Sequence, residues 1–245
     1  MNTDAPLYLH YKKRLSQSPI FSRLTDETLS HMLEKFQYTT WRKGVVPDPQ
    51  MLTQYFYLII DGRVKIERID TASGNRAILF MLGPGDGFDV ITLLDGQPHE
   101  AVPVALEDLN LLRASTGQVR EWINHHPEFN RSFLPYLGER MRSMEDLAAD
   151  LAMEDTVTRL ARLILRHAVP EPSSRHGSHP VTLIHDLPHD SLAHMIGSTR
   201  QVVNRHLQAL RREGVLDQGS KHLVVAELEA LKERAGVFLS RHQQV

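Results

Sequence analysis

The apolar pattern of this chain changes near residue 126, from short strand-like runs to a long helical repeat, and that change limits the possible folds. The strand-like part contains the runs "YFYLIIDGRVKIERI", "RAILFMLGPGDGF" and "AVPVALEDLNLLRAS". Short apolar strands separated by glycine-containing turns are typical of a β-sandwich or barrel. The dipeptide Asp61-Gly62 is a strong hairpin signal, so we expect the strands on either side of it to pair.

A helical repeat follows over residues 128–152. Apolar side chains recur there at alternating intervals of three and four, with charged residues on the other faces. This heptad pattern favours pairing with a second helix, and the alternative is that the face packs only on the chain's own barrel. We expect a homodimer whose interface contains Leu134, Leu137, Met141, Met144, Ala148 and Leu151.

The stretch 192–212, "LAHMIGSTRQVVNRHLQALRR", combines two short helical patterns joined through Gly197. The second pattern has apolar residues on one face and polar residues on the opposite face, and Ser198 or Thr199 is placed to cap it. This arrangement predicts a helix-turn-helix whose second helix enters the DNA major groove. The alternative is an ordinary amphipathic helix pair with a solvated polar face. The expected DNA contacts are Ser198, Thr199, Arg200, Gln201, Asn204, Arg205 and Lys221.

The regions around this stretch have predicted elements of their own. Short helices are expected at 25–35 and 155–168, and a short strand at 181–187. After the helix-turn-helix, a hairpin with its turn at Gly219-Ser220 precedes a closing helix that begins near Glu227.

Charge and composition exclude several kinds of protein. Residues 1–151 carry 16 Lys+Arg against 20 Asp+Glu, whereas residues 152–245 carry 12 against 10, so the second part is slightly basic. The chain has no cysteine, which excludes disulfides, thiolate catalysis and cysteine-ligated iron–sulfur clusters. It has no secretory leader pattern and no membrane-length apolar run, so we expect a cytoplasmic protein with no membrane partner.

The order of parts, together with several motifs, resembles the CRP/FNR superfamily of bacterial transcription regulators along nearly the whole chain. The most specific match is "IGSTRQVVNRHLQALRREGVL"; "YFYLIIDGRVKI" and "LGPGDGF" resemble the family's strand hairpin and glycine-rich turn. The resemblance implies an α+β fold with an effector-sensing, jelly-roll β-barrel at 1–125. A dimerisation helix at 126–153 and a winged helix-turn-helix domain at 154–245 would follow.

The same resemblance implies the partners. A homodimer would read an inverted repeat of double-stranded DNA, regulate transcription and work with RNA polymerase. The base-reading positions of the family fall on Arg200, Gln201, Asn204 and Arg205. Family members usually have glutamate at the position of Gln201, and this departure concerns which DNA sequence is read rather than the function.

The effector region reads "GDGFDVITLLDGQPHEAVPV". Cyclic-nucleotide members of the family use a Gly-Glu pair and a later Arg-Ser/Thr pair that grips the phosphate. Here Asp89 stands near the first acidic position, and His99 and Glu100 stand where the arginine should be. Because a carboxylate at this place repels an anionic ligand, we expect a small-molecule or gas effector other than cyclic AMP. The pocket candidates are Asp89, His99 and Glu100.

Three alternatives remain open. Haem held by His99 would make the chain a gas-sensing regulator of the same fold. A cupin-like, metal-dependent enzyme built on His99 and Asp89 would need at least three inward-facing ligands, and this region supplies one histidine. A nucleotide-binding subunit of a larger assembly would have no use for residues 185–225. We therefore expect a regulator that is not an enzyme.

Overall fold

The structure is a computed structural model that describes residues 7–98, 100–169, 179–217 and 222–237. The chain divides into two compact units, 1–144 and 145–245. The first is a two-sheeted, jelly-roll-like unit with flanking helices, and the second is a helix-turn-helix unit with a small sheet. The predicted fold class is confirmed.

Helices flank the sheets of the first unit at both chain ends. A long helix, α6, contributes residues to both units because its span includes the boundary at residue 144. The helices are α1 (Tyr8–Gln17), α2 (Asp26–Lys35), α3 (Pro49–Gln54), α4 (Val90–Asp95), α5 (Thr116–His125) and α6 (Pro127–Met153). The predicted helix at 25–35 is confirmed by α2, whose first turn is capped by the Thr25 hydroxyl accepting the Thr28 N–H.

In the described part of the first unit, seven strands form two antiparallel sheets. They are β1 (Gln37–Trp41), β2 (Tyr55–Asp61), β3 (Val64–Ile69), β4 (Arg76–Leu82), β5 (Gly87–Phe88), β6 (Val102–Ala105) and β7 (Leu109–Ser115). One sheet has the order β1-β7-β2-β5 and the other has the order β4-β3-β6. Among the described residues the two sheets do not join into a closed barrel, so the unit is an open jelly roll.

Strand β2 is buried on both faces, and this explains why its sequence is apolar without alternation. Phe56, Leu58 and Ile60 point into a core shared with the helices. Tyr57 and Ile59 point into the second core, between the sheets. Each buried side chain of this size contributes about 1.5–3 kcal/mol to folding, so β2 links the two cores energetically.

The predicted hairpin at Asp61-Gly62 is wrong. Strand β2 pairs with β5 and β7, whereas β3 pairs with β4 and β6. Gly62 has a φ of 93°, and a Cβ there would lie 2.5 Å from Cδ2 of Leu109. The glycine is therefore needed where the chain passes close to Leu109 while it crosses from one sheet to the other.

The prolines at 47 and 49 mark a helix start that the sequence analysis did not recognise. Asp48 caps α3 by accepting the Gln50 N–H at 2.8 Å, and Pro49 occupies the first helical position. Proline is favoured there because its fixed φ suits a helix and its missing N–H would have no intrahelical partner.

The second unit surrounds the helix-turn-helix. Besides the end of α6 it contains α7 (Thr156–His167), β8 (His179–Pro180), α8 (His189–Ile196), α9 (Arg200–Arg212), β9 (Val224–Val225) and α10 (Leu228–Arg234). Strands β8 and β9 are antiparallel, and Leu216 bridges Val225, so the two arms of the predicted hairpin are paired. The predicted turn at Gly219-Ser220 lies outside the described residues.

The strand expected at 181–187 is reduced to a single bridge between Val181 and Ala168. The chain then turns, and Leu183 adopts a positive φ of 56°, which ends any extended conformation. In the described part of the chain, no helix combines the length and the apolar character that crossing a membrane requires.

Candidate nucleic-acid interface

Helix α8 and the turn after it form the first half of the candidate interface. Leu192, Ala193 and Ile196 are buried on the inner face of α8. Gly197 ends this helix in the left-handed conformation, with φ 59°. A Cβ at this position would lie 2.8 Å from Cδ2 of Leu151 on α6, so both the backbone angle and the close packing favour glycine.

Helix α9 forms the second half. The Thr199 hydroxyl caps it by accepting the Val202 N–H. Its inner face is formed by Val203, Leu207 and Leu210, all of them buried. Val202, which had been expected on the buried face, is only partly buried. The predicted helix-turn-helix is confirmed, and the capping residue is Thr199 rather than Ser198.

The outer face of α9 is polar and contains no acidic residue. Arg200, Gln201, Arg205 and Gln208 are exposed there, and Asn204 is partly exposed. Neither Arg200 nor Arg205 forms an ion pair with any residue that the structure describes. A cation at a helix N-terminus opposes the helix dipole, so Arg200 is poorly explained by helix stability and well explained by an anionic partner.

These side chains have the chemistry that reads DNA. Arginine donates two hydrogen bonds to guanine O6 and N7, and glutamine or asparagine pairs with adenine N6 and N7. Ser198 is partly exposed and Thr199 is exposed at the start of α9, where hydroxyls and backbone N–H groups suit a phosphate. The structure thus brings six of the seven expected DNA contacts to one surface. The seventh, Lys221, lies outside the described residues.

A support for α9 was missed by the sequence analysis. His206 Nε2 lies 2.9 Å from the Thr156 hydroxyl at the start of α7. Burial, with a smaller effect of the Arg205 charge, lowers the pKa of His206, so a neutral imidazole makes this hydrogen bond at neutral pH. The contact holds α9 against α7 on the side away from its outer face.

The end of α6 is held to α7 by ion pairs. Asp150 Oδ1 lies 2.6 Å from Arg162 Nη1, and its Oδ2 lies 3.2 Å from Arg166 Nη2. Arg162 also contacts Glu154 at 2.8 Å and donates from Nε to the Ala235 carbonyl at 2.8 Å. The guanidinium of Arg162, on α7, therefore contacts both α6 and the end of α10.

The predicted dimer seam occupies one face of α6, and most of it is exposed in the single chain. Leu134 and Met141 are 57% and 67% exposed, and Leu151 is 45% exposed. Leu137 packs partly against the helix-side core of the jelly roll. Ala148 is exposed and Met144 is half-buried. A different face of α6, with Phe129, Phe133 and Tyr136, is buried in that core.

The effector region contains a small cavity of about 270 Å³, a volume that includes space open to solvent. Asp89 lines it, with a left-handed backbone (φ 63°) that aspartate tolerates better than most residues. Among the described lining residues it is the one that carries a charge, and the others are Pro49, Leu52, Thr53, Thr92, Pro98, Ala101 and Val102.

Glu100, the second pocket candidate, is not among the described residues that line the cavity. Glu100 is exposed and pairs with Arg68 on the surface. His99 lies outside the described residues, so the haem alternative stays a prediction. Among the residues that the structure describes, no three His, Asp or Glu side chains are grouped as a metal would require.

A hydrogen-bonded contact joins the glycine-rich turn beside this cavity to α6. The Tyr136 hydroxyl donates to the Gly87 carbonyl at 3.0 Å and accepts the Gly87 N–H at 3.2 Å. Arg140 Nη2 lies 2.7 Å from Asp86 Oδ1, and its guanidinium lies over the Tyr136 ring. Two residues after Gly87, Asp89 reaches the cavity.

Comparison with known proteins covers both units. Residues 48–126 match the family described as "Cyclic nucleotide-binding domain", and residues 158–234 match the "Crp-like helix-turn-helix domain". The chain is 32% identical over 220 residues to the Cyclic AMP receptor protein of Thermus thermophilus, which covers 89% of this chain and 97% of that protein. It is 28% identical over 179 residues to the CRP-like cAMP-activated global transcriptional regulator of Mycobacterium tuberculosis, covering 73% and 79%.

A solved structure with the same fold is that of a CooA mutant from Carboxydothermus hydrogenoformans. Its TM-score is 0.68 at 21% identity, covering 84% of this chain and 90% of that one. The sequence relatives are transcription regulators and agree with the helix-turn-helix geometry. The chain therefore belongs to the CRP/FNR family of transcription regulators.

Proposed function

We propose that this chain acts as a homodimer that binds an inverted repeat of double-stranded DNA through α9 and regulates transcription in the cytoplasm. The observation that carries the proposal is the acid-free outer face of α9, where Arg200 and Arg205 are exposed. RNA polymerase is the further partner that this function requires.

Base reading is assigned to the first turns of α9. Arg200, Gln201, Asn204 and Arg205 share one face because residues one helical turn apart are neighbours. Each arginine suits a guanine, and Gln201 favours an adenine. Ser198, Thr199 and Lys221 are proposed to contact phosphates, which fixes the position of the helix without selecting a sequence.

The dimer is assigned to the exposed apolar face of α6. The exposure of Leu134 and Met141 in the single chain supports a second copy of α6 as the partner. A two-fold axis along this seam would place the two α9 helices in successive major grooves, with half-site centres roughly 34 Å apart.

The effector is proposed to be something other than a cyclic nucleotide. In the part of the cavity lining that the structure describes there is a carboxylate, that of Asp89, and no lysine or arginine. Burying a phosphate without a cation is costly, and a nearby carboxylate adds repulsion. The names of the Thermus and Mycobacterium relatives refer to cyclic AMP, so this chain would differ from them in its ligand.

The contact from Tyr136 and Arg140 to the glycine-rich turn is the proposed route from the cavity to the dimer helix. A ligand that moves Asp89 also pulls on Gly87, because only Phe88 separates them. Since Gly87 exchanges two hydrogen bonds with Tyr136, such a movement favours one position of α6 over another.

Selection of binding sites from a random DNA library tests the proposal. The parent protein and Arg205→Ala are compared, with Lys35→Ala as a control because Lys35 is an exposed residue of α2 in the other unit. We expect an enriched inverted repeat with the parent and the control. Arg205→Ala should lose preference at one base pair per half-site, at a cost of about 1–3 kcal/mol. If the parent enriches no inverted repeat, the proposed function is wrong.

A further inference from the structure

Helix α7 carries three arginines on one stripe, and two of them are ion-paired. Arg162 and Arg166 bind Asp150, and Arg162 also binds Glu154. Arg159 precedes Arg162 by three residues, so it lies on the same side of the helix. Within the described ranges no carboxylate lies within ion-pairing distance of Arg159.

Arg159 lies beside the turn of the helix-turn-helix. Its Nη1 is 3.5 Å from the point where a Cβ on Gly197 would be. Its Nε is buried and has no hydrogen-bond partner in the part of the chain that the structure describes. The residue as a whole is only partly buried. Since no described carboxylate pairs with this guanidinium, an anion from outside the unit would stabilise its charge through the accessible part of the side chain.

The contacts of α7 indicate which part of the proposed DNA interface the Arg159 side chain lies near. Thr156, one turn before Arg159, is hydrogen-bonded to His206 of α9. Gly197 is exposed, and the exposed Thr199 follows it at the start of α9. Arg159 therefore flanks the turn that leads into the base-reading helix, where the sugar–phosphate backbone would pass if α9 entered the groove.

We propose that Arg159 is a phosphate-contacting residue of the DNA interface, placed outside the recognition helix. The inference rests on the proposed DNA-binding function. It assigns to Arg159 affinity for DNA of any sequence, because a phosphate contact carries no base information. The competing role is a purely structural one, in which the side chain only fills the space beside Gly197.

The test compares the full-length parent with Arg159→Gln and Arg159→Lys by fluorescence anisotropy over a series of NaCl concentrations. The probes are a duplex carrying the selected inverted repeat and a random-sequence duplex of equal length. Arg159→Gln should weaken binding to both duplexes by a similar factor, roughly three- to tenfold, and should lower the salt slope by about one per subunit. Arg159→Lys should keep the salt slope of the parent, and Lys35→Gln should change neither quantity.

Phosphate ethylation of the selected duplex supplies a second readout. Ethylation of one phosphate per half-site should block DNA binding by the parent. Arg159→Gln should bind the duplex ethylated at that phosphate and the unmodified duplex equally. An unchanged salt slope together with an unchanged ethylation pattern would overturn the proposal. If Arg159→Gln does not fold, the Arg159→Lys variant decides. A salt slope equal to that of the parent, together with weaker binding to both duplexes, supports the phosphate contact. Weaker binding to the selected duplex alone refutes it. Failure of the parent to bind either duplex would instead refute the DNA-binding function itself.

Discussion

Arg162 binds Asp150 across the break between α6 and α7, with 2.6 Å between Nη1 and Oδ1. The carboxylate is almost fully buried, with 5% of its side chain exposed, and it is also reached by Arg166. The last turns of α6 are therefore fixed to the helix-turn-helix unit by charge as well as by packing.

Replacing Asp150 by alanine should destabilise the C-terminal unit by about 1–3 kcal/mol, because Arg162 loses a charged hydrogen-bond acceptor and Arg166 loses its ion-pair partner. Urea unfolding followed by circular dichroism measures the change. Asp146→Ala is the matched control, since Asp146 is exposed one turn earlier on the same helix. Equal stability of the two variants would mean that the Asp150 ion pairs contribute nothing net.

Introducing lysine at both Met141 and Met144 should convert the dimer to a monomer. The substitution puts like charges opposite each other across a two-fold axis in the middle of the apolar seam. Analytical ultracentrifugation should show the monomer mass, and binding to the inverted repeat should be lost. The control is Glu139→Gln combined with Asp146→Asn, which raises the net charge equally outside the seam. A stable dimer of the lysine variant would place the interface elsewhere.

Cyclic AMP should not bind to the jelly roll. Titration calorimetry at millimolar ligand should give no heat beyond dilution, because Asp89 is the only charged group among the described residues that line the cavity. The Cyclic AMP receptor protein of Thermus thermophilus is titrated in parallel as a positive control, which shows that the cyclic AMP preparation can bind a receptor. Micromolar affinity in this chain would mean that a cation outside the described lining grips the phosphate.

Stability should decrease as the pH falls below about 6.5 because of His167. Burial, with a smaller effect of the Arg166 charge, lowers the pKa of His167 to about 4. The unfolded chain therefore takes up a proton between pH 6.5 and 4 that the folded chain does not, so the stabilising contribution is present above this range and is lost within it. From pH 7 to pH 5 the free energy of unfolding should fall by about 2 kcal/mol on this account.

Urea unfolding at the two pH values tests this dependence. His167→Gln should lose it, whereas His125→Gln should keep it because His125 is exposed on α5. The same pH dependence in parent and His167→Gln would assign the effect to other groups. The lowered pKa of His206 acts in the same direction, so a small remainder is expected in His167→Gln.

Local patterns predicted the DNA-binding part of this molecule well. A cap at Ser198 or Thr199, the turn at Gly197 and the apolar face of α9 are all properties of consecutive residues, and each was recognisable without tertiary contacts. The structure added the roles of residues that act over a distance. Asp150 and Arg162 belong to different helices, and His206 supports α9 through Thr156, 50 residues away.

The jelly roll was predicted less completely because its chain path depends on long-range pairing. Asp61-Gly62 has the composition of a hairpin, yet the glycine is required by the closeness of Leu109. Asp48 and Pro49 form a helix start whose signal, a capping residue followed by proline, is present in the sequence but was not recognised there. For the effector region, the sequence placed Glu100 in the pocket, whereas an exposed pair with Arg68 gives it a different partner.

Strand β2 has a consequence for how the first unit folds. Because successive side chains enter opposite cores, a slip of one residue would send Phe56 into the core between the sheets and Tyr57 into the core beside the helices, and would disrupt both cores at once. Neither core can be completed while the other is out of register. Only one alignment of β2 therefore satisfies both cores. We expect the jelly roll and its flanking helices to form in a single cooperative step.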